Sequence, residues 1–169
     1  MKYTPPRTDI KIRGIYCFLF MIAIIGLVTP LEGITATVMQ FIAFFVLTAA
    51  LFLFIKYETI TYTYILAERN GSLDFYVNRM TGKRGSYVCY FPLTDAVYFE
   101  RLEKGYGAAL REKYKDISFY KYNKNIFTGE KYVIVFENGS KYEAVIFEPG
   151  TELFAVIKEK LNGSNNTEE

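Results

Sequence analysis

The residues of this chain best placed to do chemistry are cations without a catalytic partner. Lys83 and Arg84 stand side by side after Gly82. Lys104, Arg111, Lys113 and Lys115 follow within one polar stretch, together with Glu103 and Glu112. Basic groups of this kind bind anions, and beside an anionic membrane leaflet each is worth about 1 kcal/mol. The competing reading is a solvated charged rim. Catalytic chemistry finds little support. The chain has no His, so the commonest general base and the commonest metal ligand are both missing. Ser–His and Cys–His pairs are excluded within one chain. Zinc would have to rely on carboxylates and two Cys, and Cys17 and Cys89 lie in very different segments. Asp74, Asp95 and Asp116 are scattered, and Gly105 and Gly107 are not followed by Gly-Lys-Ser/Thr. No catalytic, cofactor-binding or metal-binding residue is assigned, and a non-enzymatic role is expected.

The elements that must position these cations begin with two apolar runs. Residues 15–31 and 34–55 contain no charged side chain. The second spans about 33 Å as a helix, enough for a hydrocarbon core of roughly 30 Å. The first is shorter and is expected to borrow residues near Ile12. A short link with Pro30, Glu32 and Gly33 makes the pair an antiparallel hairpin. Lys2, Arg7, Lys11 and Arg13 precede it and Lys56 follows it, whereas the link carries only Glu32. The positive-inside rule then places both termini in the cytoplasm, with the chain in the cell membrane. A cleaved signal peptide is the competing reading, but no A-x-A-like site precedes the second run.

Ala36, Ala43 and Ala50 recur every seven residues, and Ala23, Gly26 and Pro30 form a second stripe. Small residues let membrane helices approach closely. Gln40 is expected to bond a neighbouring helix. Neither span holds Asp, Glu, Lys or Arg, which argues against an ion pathway.

From Tyr57 the pattern changes to alternation. Strands are predicted over 59–66, 72–80, 86–91, 96–102, 116–122, 131–137 and 141–147. Asn70-Gly71 and Asn138-Gly139 are hairpin signals. The link 103–115 is long, with a short helix feasible over 108–114. Pro149 opens a last helix over 149–161, with Leu153, Phe154, Ile157 and Leu161 on one stripe. Asn162-Gly163 is expected to end it, before a disordered tail over 163–169. Acidic and basic residues balance from Lys56 onward, so nucleic acid is not an expected partner. Residues 113–124 interleave aromatic and basic residues, a pattern better explained by an exposed strand face.

Four segments result: a basic stretch over 1–14, a hairpin over 15–55, a mainly-β domain over 56–162 and the tail. Seven strands followed by one amphipathic helix resemble a pleckstrin-homology-like (PH-like) domain. The whole chain resembles bacterial membrane proteins in which a helical hairpin precedes such a domain. The resemblance implies a seven-stranded bent barrel capped by the C-terminal helix, with Phe154 in the place of the usual Trp. Phosphoinositide binders of this class carry a basic cluster on the first two strands, where this chain has only Arg69 and Arg79. The expected function is a membrane-tethered interaction or scaffolding module. Its partners would be the bilayer and another membrane protein or a second copy. The alternative is recognition of anionic lipid headgroups through Lys83, Arg84, Lys104, Arg111, Lys113 and Lys115, if simply alternating strands bring both basic segments to the membrane-facing end.

Overall fold

The computed structural model describes residues 1–6, 9–30, 32–69, 71–103, 105–125 and 129–164. Two compact units emerge. One comprises residues 7–60, and the other combines Met1–Pro6 with the chain from Thr61 onward.

The first unit is a helical hairpin, α1 (Ile10–Val28) and α2 (Gly33–Phe54). α1 starts ahead of the uncharged run because Asp9 caps it: Asp9 Oδ1 accepts from the Lys11 N–H at 3.0 Å. Thr29 N–H bonds back to the Ile25 carbonyl at 2.9 Å, and Pro30 prevents continuation. Small residues set the helix contact. Ala23, Ala43 and Ala50 are buried, and Ala36 is half-buried. A Cβ built on Gly26 would lie 3.0 Å from Ala43 Cβ. The expected alanine stripe therefore faces α1. The outward surface is apolar: Phe41, Phe44, Phe45 and Phe52 each have more than three-fifths of their area exposed. Both helices are long and apolar enough to span a membrane.

The second unit is mainly β, with two four-stranded sheets. The first holds β1 (Lys2–Tyr3), β2 (Ile60–Arg69), β3 (Ser72–Thr81) and β4 (Arg84–Pro92), in that order. β1 adds an eighth strand to the seven predicted. It pairs antiparallel with β2, Lys2 opposite Ile65 and Tyr3 opposite Tyr64. The second sheet has the order β5 (Ala96–Arg101), β7 (Tyr132–Asn138), β8 (Lys141–Phe147), β6 (Ile117–Lys121). Among the described residues the strands form these two sheets rather than a closed barrel.

Alternation of strand direction fails in the second sheet. β5 and β8 each run antiparallel to β7, and β6 runs parallel to β8. β5 and β6 therefore point the same way, and the link between them crosses the sheet as α3 (Tyr106–Lys113). A parallel connection needs such a crossover. The sequence of β7 shows the consequence. Tyr132, Ile134 and Phe136 enter the main core, while Val133 and Val135 on the other face pack under Leu110 and Tyr114. A strand buried on both faces reads as a continuous apolar run, here Tyr-Val-Ile-Val-Phe.

The C-terminal helix α4 (Thr151–Ser164) closes the main core. Leu153 and Ile157 are fully buried, and the Phe154 ring lies 4.7 Å from that of Tyr132. Phe154 thus packs against the core, as the sequence suggested. α4 continues through Asn162-Gly163 to Ser164, so the expected stop there does not hold. Asn70 and 165–169, which carry the first hairpin signal and most of the expected tail, lie outside the described residues.

Tyr3 stacks on Tyr64 at 6.4 Å, and a Cβ on Gly150 would overlap the Tyr3 ring. Gly150→Ala is expected to destabilise the protein by about 1–3 kcal/mol in chemical denaturation. In a Tyr3→Ala background the same substitution should cost far less. Equal costs in both backgrounds would show that β1 does not dock as described.

Candidate functional site

The six predicted cations occupy two settings. Lys83 is the second residue of the two-residue turn between β3 and β4, Gly82 having φ +61° and Thr81 facing Arg84. Both Lys83 and Arg84 are exposed. Arg111 and Lys113 belong to α3, with Lys115 just beyond it. The Arg111 guanidinium lies over the Phe119 ring at 5.4 Å, and Lys113 Nζ over the Tyr98 and Tyr114 rings at 5.0 and 5.2 Å. Such cation–π contacts hold these two side chains along the covered face of the second sheet. Lys104 lies outside the described residues. Because β5 and β6 run parallel, 103–115 leads from one end of the sheet to the other, so simple alternation no longer groups the two basic segments.

A surface not singled out by the sequence lies on β3 and β4. β4 is the last strand of its sheet. It carries a bulge: Val77 faces Cys89 and Asn78 faces Tyr87, leaving Val88 as the extra residue. The Val88 carbonyl accepts from Tyr122 Oη at 3.2 Å. That bond covers one point of an otherwise long edge. Tyr87 is 70% exposed and Tyr90 47%. Their rings lie 5.8 and 5.0 Å from that of Tyr76. Beneath them, Asp74 is almost fully buried, its Oδ2 accepting from the hydroxyls of Tyr76 at 3.2 Å and Tyr90 at 3.4 Å. Burial and the adjacent Asp74 carboxylate raise the Tyr76 hydroxyl pKa. Only the tyrosine count in β3 and β4 hinted at this patch; the pairing of strands assembles it.

Two polar networks fix the frame around these surfaces. In the β unit, Tyr64 Oη accepts from the Glu148 N–H at 3.2 Å and donates to the Tyr122 carbonyl at 2.7 Å. Burial pushes the Tyr64 hydroxyl strongly up, so it stays a donor at any ordinary pH. The Glu148 carboxylate accepts from Asn125 N–H at 2.8 Å and from Asn125 Nδ2 at 3.0 Å. Burial raises the Glu148 pKa, and the Asn125 bonds act in the opposite direction. In the helical unit, Arg13 Nε and the second guanidinium nitrogen donate to the two Glu58 oxygens at 2.7 and 3.0 Å, and Tyr16 Oη donates to the same carboxylate at 2.8 Å. Glu58 reaches them from a π-helical turn over Ile55–Thr59 that follows α2. Nothing local in the sequence pairs residues 42 or 45 positions apart, so both networks were invisible there. Cys17 and Cys89 are free thiols.

Searches against protein-family models, curated proteins and solved structures gave no match. The functional reading therefore rests on the chain's own geometry.

The Glu148 arrangement gives a signed pH dependence. Its pKa is higher folded than unfolded, so the folded state binds more protons over that window. Its contribution is fully present below the unfolded value near 4.5 and is lost as pH rises through the folded value. Asn125→Ala should cost about 1–3 kcal/mol by removing the Nδ2 donor from a buried carboxylate, leaving only the backbone N–H of that residue. It should also steepen the fall in stability above that pH, measured as unfolding free energy across a pH series. A pH-independent loss would contradict the assignment.

Proposed function

We propose that this chain is a membrane-anchored, non-enzymatic interaction module. The helical hairpin holds a PH-like β domain at the cytoplasmic face of a bacterial cell membrane, and the β4 surface meets a protein partner. The observation that carries this reading is the exposed tyrosine patch on an edge strand. Tyrosine is enriched at protein interfaces because it offers large contact area and a polar tip. An edge strand adds free backbone groups. The PH-like part of the reading is supported by element order: a first sheet, a second sheet, then an amphipathic C-terminal helix whose stripe enters the core. The parallel strand β6 and the crossover helix α3 would be additions to that plan.

A lateral partner within the bilayer fits the same reading. Gln40 lies on the exposed side of α2, with no hydrogen-bond partner among the described residues. An amide facing lipid gains by bonding another helix.

Headgroup binding is the second reading, favoured by the exposed Lys83–Arg84 pair at the β3–β4 turn. Photo-crosslinking in intact cells separates the two. A photoreactive residue at Tyr87 should give discrete protein adducts, whereas one at exposed Lys141 should not. If Tyr87 gives none, the protein-partner reading fails. Headgroup binding would then require that Lys83→Glu with Arg84→Glu abolish protection of the turn from hydrogen exchange in anionic nanodiscs.

A further inference from the structure

The two sheets do not join at every edge, and one seam leaves a cleft. β4 ends the first sheet and β6 ends the second. Between them lies a cavity of about 310 Å³ lined by Cys89, Tyr90, Tyr120, Tyr122, Asn138 and Glu143, among others. That volume suits one large side chain or a small molecule.

The lining is chemically one-sided. On β8 the row that ends in the core residues Val145 and Phe147 starts with the exposed Lys141 and then places the half-buried Glu143 next to the core. Glu143 Oε1 accepts from Asn138 Nδ2 at 2.9 Å. Among the described residues, no Lys or Arg lies within ion-pair distance of it. Two other polar groups of the lining, Cys89 and Tyr122, are held neutral. Burial, with a contribution from Glu143, pushes the Cys89 thiol up to about 12. Burial also pushes the Tyr122 hydroxyl up to about 12. The Tyr120 and Tyr122 rings lie parallel at 6.3 Å, and Tyr90 lines the cleft from across the seam. A half-buried carboxylate without a counter-charge repels anions. No group of three or more Cys, Asp or Glu that could hold a metal ion occurs among the described residues, and one carboxylate is too few for a Ca²⁺ cage of about six to eight oxygens. Aromatic rings beside a carboxylate suit an organic cation, attracted by the ring faces and by the charge.

We infer that this cleft receives the ammonium or guanidinium group of a lysine or arginine side chain from the protein partner that meets β4. The inference rests on the reading of the β domain as an interaction module and gives its partner a chemistry: an extended segment bearing a basic residue beside the strand edge. Tyr90 belongs to both the cleft and the exposed patch, so one segment can cover both.

The test uses the full chain in nanodiscs with two probes of matched shape, N-acetyl-arginine amide and its neutral counterpart N-acetyl-citrulline amide. Saturable binding of the arginine probe is expected, about tenfold or more tighter than the citrulline probe. Glu143→Gln keeps an acceptor for Asn138 and should reduce the preference to near unity. Tyr120→Leu, at a partly exposed position outside the main core, should weaken the arginine probe without unfolding the domain. Equal binding of the two probes, an undiminished preference in both variants, or no saturable binding to the wild-type chain would overturn the inference. The adduct pattern at Tyr87 reports the partner contact separately, so an empty cleft with adducts at Tyr87 would reject this site alone.

Discussion

The β unit depends on the surroundings of one buried side chain, Tyr64. Its ring stacks on Tyr3 of β1 and meets Phe147 of β8 edge-on at 5.3 Å. Its hydroxyl joins the Glu148 N–H to the Tyr122 carbonyl. One residue on β2 thus touches the N-terminal strand, the end of β8 and the end of β6. Removing the hydroxyl would strand a buried donor and a buried acceptor together, the costly way to lose a hydrogen bond.

Much of this was legible in the residues. The charge-free runs announced α1 and α2, and the seven-residue alanine spacing marked the face that packs. All seven predicted strands appear because period-two alternation and, for β7, a short apolar run are local signals, reinforced by glycines able to take positive φ at Gly82 and Gly139. The C-terminal stripe appeared as drawn because an amphipathic helix needs only one face to dock. Three features escaped for physical reasons. β1 is two residues long and owes its existence to pairing with β2, a partner some 60 positions away. The parallel placement of β6 depends on α3 crossing the sheet, and alternation carries no information on strand direction. The paired networks around Glu58 and Glu148 come from chain segments that meet only after folding.

The proposed sites divide along the same line. Lys83 and Arg84 were readable because adjacent cations in a turn are exposed by construction. Arg111 and Lys113 looked equivalent in sequence, yet the aromatic rings of β5 and β6 and the end of α3 engage them. The tyrosine patch and the Glu143 cleft needed the strand order. Glu143 is a legible anomaly, a carboxylate in the row of β8 that continues into the core residues Val145 and Phe147. Such breaks in a local pattern concentrate where a protein does something other than fold.

The proposed topology has the hairpin spanning the membrane once in each direction, with both flanking segments in the cytoplasm. Membrane-impermeant thiol labelling of intact cells tests it most directly. The chain would carry Cys17→Ser and Cys89→Ser and one new cysteine at Glu32, Lys2 or Lys141 in turn. Labelling from outside at position 32 alone, with positions 2 and 141 reacting only after lysis, is the expected result. Labelling of position 2 or 141 from outside, or protection of all three until lysis, would contradict the account.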